Sequence, residues 1–121
     1  MSNAEIGRWG EKLALQEYER RGFHLVAQNW RCNPYEIDLI VEDGSYLVFC
    51  EVKTRKGDRF GSALESLQDA QMQRLVLAAE AYLAQFPTSL QPRMDVCAIQ
   101  YAQRRGERQC LSLTIIENAF G

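Results

Sequence analysis

Residues 36 to 53 constrain this chain most, because they read as one tight hairpin. Glu36 to Glu42 alternates polar and apolar side chains, Asp43-Gly44 is the pair that a type I′ turn favours, and Ser45 to Lys53 continues as strand. With Asp43 and Gly44 as the loop, Glu42 faces Ser45 and the numbers of facing residues sum to 87. That register puts Ile37, Leu39 and Val41 on one face with Val48, Cys50 and Val52, an apolar surface for a helix to cover. The other face carries Glu36, Asp38, Glu51 and Lys53. Glu51 then stands opposite Glu36 and diagonal to Asp38, and directly opposed Cβ atoms in a sheet lie about 5 Å apart.

Three carboxylates that close repel one another, raise their pKa values and weaken the sheet unless a cation intervenes. Lys53 offsets part of the charge. A divalent metal would offset the rest, and hard oxygen donors without a nearby Cys or His pair suit Mg²⁺ or Mn²⁺. Such a site predicts phosphodiester hydrolysis. Asp38 and Glu51 hold the metal, while Lys53 orients or deprotonates the attacking water and stabilises charge developing on phosphorus. The plainer alternative is a solvated strand face, since Glu-x-Lys alone is a frequent chance pattern.

The rest of the chain supplies a scaffold. Ile6, Trp9, Leu13 and Tyr18 recur at helical spacing between Glu5 and Arg21, and Gly22 ends that run. Phe23 to Ala27 reads as a short strand, and Asn33-Pro34 as a turn. A longer amphipathic stretch from Ser62 to Phe86 ends at Pro87; Met94 to Tyr101 and Cys110 to Ile116 are strand-like, joined through Gln103 to Arg108. The order αβββαββ, with 121 residues and no linker or repeat, predicts one α/β domain over residues 1–121. Ser2-Asn3-Ala4 resembles the remnant of an expression tag, although the Met in front of it leaves a native start open, and residues 1–4 are expected to be flexible or tag-derived. No stretch approaches the roughly 18 apolar residues of a membrane span, and no secretory signal precedes the first helix, so a cytoplasmic location is expected. Cys32, Cys50, Cys97 and Cys110 have no zinc-ligand spacing and are expected to be reduced, packing as small apolar groups.

The pattern Asp38, Glu51-x-Lys53 resembles the signature of the PD-(D/E)xK nuclease superfamily. More closely, Gly10-Glu11, Asn29, Arg31, Glu36-Ile37-Asp38-Leu39-Ile40, Phe49, Glu51-Val52-Lys53, Arg55, Phe60-Gly61 and Arg93-x-Asp95-Val96 are similar, in order and spacing, to the YraN-like family of uncharacterised proteins. The resemblance covers nearly the whole chain. It implies a restriction-endonuclease-like αβββαβ core, a mixed central sheet flanked by helices, and kinship with Holliday-junction resolvases. In those enzymes a first-helix Glu joins the metal-binding acids, which assigns that role to Glu11 or else leaves it an ordinary helix Glu. Glu36 is divided between supporting the ligands and simple exposure. Tyr35 stands where the family usually has Gly, Cys50 where it has Val, and Gln71 where it has a helical Lys. A neutral amide cannot give phosphate the same charge, which puts phosphate binding by that helix in doubt.

A net charge of −2 argues against strong non-specific binding to a polyanion, but charge is uneven. Arg55, Lys56 and Arg59 continue the strand beyond Lys53 and are candidates for contacting nucleic-acid phosphates, with a solvated loop as the alternative. Arg104, Arg105 and Arg108 are placed at a hairpin tip. Tyr35 and Trp30 are candidates to stack on bases, whereas Trp9 belongs to the helix's apolar stripe and His24 to structure. Three readings stand: a Mg²⁺-dependent endonuclease acting on nucleic acid, DNA before RNA and branched or damaged forms included; a non-catalytic nucleic-acid-binding module or subunit; and a protein-interaction domain. A homodimer is left open, since cutting two strands needs two sites.

Overall fold

A computed structural model describes residues 2–57 and 69–119. The chain runs α1 (Asn3–Arg20), β1 (His24–Cys32), β2 (Tyr35–Glu42), β3 (Tyr46–Lys56), α2 (Asp69–Gln85), β4 (Gln91–Arg104) and β5 (Glu107–Ile116). The five strands form one sheet in sequence order; β3 and β4 are parallel, and the other neighbours are antiparallel. A parallel pair needs a long crossover, and α2 lies within it. This is a mixed α/β fold consistent with the restriction-endonuclease-like core.

Local chemistry sets the helix ends. Ser2 caps α1 by accepting a hydrogen bond from Glu5 N–H at 3.2 Å, so Asn3 and Ala4, expected to be flexible, form its first turn. At the other end Gly22 adopts φ 94°, and the Phe23 and Gly22 amides bond the carbonyls of Tyr18 and Glu19. The described part of the second helix begins at Asp69; the portion expected over residues 62–68 lies outside the described residues. Strands β1, β4 and β5 are each longer than the apolar runs that announced them.

The two helices cover opposite faces of the sheet. Beneath α1, Ala14 and Tyr18 pack with Phe23, Leu39, Val41, Val48, Cys50, Cys97 and Ile99. Beneath α2, Leu75, Ala78, Ala79 and Tyr82 pack with Ile37, Ile40, Leu47 and Phe49. The hairpin face expected to be polar is therefore apolar over most of its length and polar only at one end. Ile37 belongs to the α2 cluster, not to the Leu39 and Val41 face assigned from alternation. Trp30, partly buried, also packs against that core, edge-on to Tyr82 with centroids 5.3 Å apart. Trp9 packs edge-on to Tyr101 as expected, and Arg108 lies over its ring. All four cysteines are free; Cys50 and Cys97 are buried, but Cys110 is exposed on β5, contrary to the packing role expected of it.

The hairpin register also differs from expectation. Glu42 pairs with Leu47 and Leu39 with Cys50, so facing numbers sum to 89. The cause is Asp43. Its carboxylate accepts from both Ser45 N–H and Tyr46 N–H at 2.9 Å, and its own N–H donates to the Tyr46 carbonyl, which makes a four-residue loop of Asp43 to Tyr46. A two-residue slip keeps Leu39, Val41, Val48 and Cys50 together on the face expected of them, where a one-residue slip would have separated them.

Candidate active site

The register brings Asp38 level with Glu51, and at that point β2 and β3 stop pairing through their backbones. The Asp38 carboxylate accepts instead from Val52 N–H at 2.9 Å, inserting itself between Glu51 and Lys53 along β3. Lys53 Nζ lies 3.3 Å from Glu51 Oε1, and both side chains are largely buried. These three residues are thus brought together at the end of the hairpin where the apolar face gives way to a cleft. Pro34, Tyr35, Glu36, Glu51, Lys53, Gln71, Arg74 and Leu75 line that cleft, which holds about 320 Å³.

The electrostatics are those of crowded carboxylates. Burial, and then the Asp38 charge, push the Glu51 carboxyl up to about 7, against the lowering effect of Lys53. Asp38 is raised too, chiefly by burial and further by Glu36, although Val52 N–H and Lys53 favour its charged form. Glu11 reaches the same group from α1. Its carboxyl is raised by burial and by the charges of Asp38 and Glu36, while Asn29 and Arg8 act the other way. Glu36 is exposed and paired with Arg31 at 3.4 Å. Among the described residues no three His, Cys, Asp or Glu side chains converge into a complete metal-ligand set. Mg²⁺ does not require one, since it typically keeps several waters and takes one or two carboxylates. Asp38 and Glu51 are suitable as such a pair by their oxygen donors and by the excess negative charge that Lys53 leaves over.

The other expected residues divide. Gln71 lies in the cleft, and its Oε1 is buried without a hydrogen-bond partner. Tyr35 is also in the cleft. Arg55 and Lys56 are exposed and border a second cleft, between β3 and the start of α1, that shares Lys53 with the first. Arg59 lies outside the described residues. Sequence reasoning passed over Arg74 because an exposed helical Arg carries no signal by itself; only the placement of α2 across β2 and β3 brings it into the cleft.

It also missed a structural centre at Arg93 and Asp95. Asp95, fully buried, accepts from Tyr18 Oη at 2.7 Å, from Arg93 Nε at 3.0 Å and Nη2 at 2.9 Å, and from Asn118 N–H at 2.9 Å. The Arg93 guanidinium lies over the Phe23 and Tyr46 rings. This network ties α1, β4, the Asp43 loop and the segment after β5 together, and so fixes the face of α1 that carries Glu11.

Among the described residues no helix is long and apolar enough to cross a membrane. Residues 10–99 match the model of the uncharacterised protein family UPF0102. A UPF0102 protein of Ruegeria pomeroyi is 44% identical over 121 residues, covering 98% of this chain and 90% of that protein. Others, from Mycolicibacterium vanbaalenii (41% identical, 86% of this chain and 87% of the relative) and Roseiflexus castenholzii (40%, 84% of each), carry the same family name. With the matched region taking in the part of α1 that carries Glu11, the hairpin with Asp38, Glu51 and Lys53, and most of β4, the chain belongs to the uncharacterised protein family UPF0102.

Proposed function

We propose that this protein hydrolyses phosphodiester bonds of nucleic acid in the presence of Mg²⁺ or Mn²⁺. One observation carries the reading: Asp38, Glu51 and Lys53, drawn from both strands of a hairpin, come together largely buried, Glu51 and Lys53 lining an open cleft and Asp38 bonded to the Val52 N–H between them, with more negative charge than Lys53 offsets. An ordinary solvated strand face does not accumulate desolvated like charges, because they destabilise the fold unless a ligand relieves them. Asp38 and Glu51 would hold the cation, with Glu11 adjoining from α1. When bound, such an ion polarises a phosphoryl oxygen and acidifies a water.

The chain's own residues do the remainder. Lys53, pinned by Glu51, has donors left to orient the attacking water and to stabilise the negative charge that grows on the phosphoryl oxygens. The water oxygen bonds to phosphorus and the bond to the leaving oxygen breaks, leaving a phosphate end and a hydroxyl end. The superfamily resemblance favours DNA, in branched or damaged form, as the substrate, and two such sites in a homodimer would cut two strands.

Incubation of pure protein with branched, duplex and single-stranded substrates in Mn²⁺ tests this. Cleavage that is lost in both Asp38→Ala and Lys53→Ala is the expected result. A second reading, a nucleic-acid-binding module that does not cleave, is favoured by the net charge of −2 and by the neutral Gln71, both of which weaken the chain's own hold on phosphate. Binding without cleavage in any metal selects it.

A further inference from the structure

We propose that Arg74 is a phosphate-binding residue of this cleft and supplies from α2 the positive charge that Gln71 does not. Position 71 carries a neutral amide, buried at Oε1 without a hydrogen-bond partner, which can donate a hydrogen bond to a phosphate oxygen but brings no positive charge to it. Arg74 follows three residues later on the same helix, a spacing that keeps the two side chains on one face, and both line the cleft. The charges around that cleft are unevenly used. Glu36 is paired with Arg31 and Glu51 with Lys53, whereas Arg74 is exposed and forms no ion pair among the described residues.

A guanidinium left open across a cleft from carboxylates has the complementary sign for the other half of a cation-and-phosphate pair, and its planar fork matches two phosphate oxygens. Arg55 and Lys56 do not fill this place, because they border the second cleft on the α1 side. The ligand is one backbone phosphate of a nucleic-acid strand, which places α2 against the strand beside the bond to be cut. This assignment rests on the proposed action on nucleic acid for the identity of its ligand.

The test measures binding of a short labelled single-stranded oligonucleotide to the full chain by fluorescence anisotropy, in calcium, over a series of salt concentrations. Arg74→Ala is expected to weaken binding and to flatten the slope of log affinity against log salt by about 0.7, the contribution of one phosphate contact on a single strand. Arg74→Lys should keep the slope, and Gln71→Lys placed in the Arg74→Ala background should restore it. An unchanged slope in Arg74→Ala, with its melting temperature also unchanged, overturns the assignment, as does a wild-type chain that does not bind. If Lys53→Ala abolishes cleavage while Arg74→Ala leaves the slope alone, the nuclease reading stands and the role of Arg74 falls. If nothing is cut but the slope flattens, the reverse holds.

Discussion

Gly10 is where the fold meets the site, and Gly10→Ala tests that meeting. A Cβ built on Gly10 would lie 2.1 Å from Thr54 Oγ1, 3.2 Å from Thr54 Cβ and 3.4 Å from Thr54 Cγ2, so α1 rests on β3 with no room for a methyl group. Turning the Thr54 hydroxyl away does not clear the space, because the branched side chain offers another heavy atom and its Cβ is already close. Overpacking of this kind typically costs 1–3 kcal/mol, and an overlap this deep belongs near 3. Replacing a mid-helix Gly by Ala returns about 1 kcal/mol of helix propensity. The net loss is about 2 kcal/mol, which at roughly 4 °C per kcal/mol for a domain of this size lowers the melting temperature by about 8 °C. Chemical denaturation of Gly10→Ala, Thr54→Ala and the double variant measures it. Thr54→Ala should rescue Gly10→Ala, giving an interaction energy of about 1 kcal/mol or more. Additive single effects, or a Gly10→Ala chain as stable as the wild type, would refute the close approach of α1 and with it the placement of Glu11.

Two further predictions come from buried charge. Arg93→Met should cost about 3–5 kcal/mol in denaturation experiments, because Asp95 is left buried without its counter-charge, while Tyr18→Phe, which removes one bond to that carboxylate, should cost about 1.5–3 kcal/mol. Glu51, raised from 4.5 to about 7, binds its proton more tightly folded than unfolded, so metal-free protein should lose stability as pH rises from about 4.5 through 7, by at most about 3 kcal/mol. Urea melts in EDTA across that range should show the decline in the wild type and a flatter profile in Glu51→Gln; identical profiles would contradict the crowding of carboxylates.

Much of this was legible in the chain, for identifiable reasons. The element order followed from periodicity and from Gly22 and Pro87, and the grouping of Asp38, Glu51 and Lys53 survived an error in register because the slip was by two residues. The slip itself was hidden because Asp43-Gly44 satisfies a two-residue turn in its backbone preferences, while the Asp43 carboxylate chose a longer loop by bonding two amides. The second apolar face was hidden for another reason. Glu36, Asp38, Glu51 and Lys53 draw attention away from Ile40, Leu47 and Phe49 on the same side, and only the packing of α2 shows that the polar stretch is short. Arg93 and Asp95 entered the sequence reading only as part of the family resemblance; their burial depends on Tyr18 and Asn118, which are distant in sequence. Arg74 was silent for the same cause, since its position depends on where a helix lies and not on its neighbours in the chain.

The central claim is that Asp38 and Glu51 form one cation site, and isothermal titration of the metal-free protein with Mn²⁺ tests it most directly. One saturable site in the wild type, lost in Asp38→Asn and in Glu51→Gln while both variants remain folded, is the predicted result. No binding heat in the wild type, or binding that survives both substitutions, would contradict it.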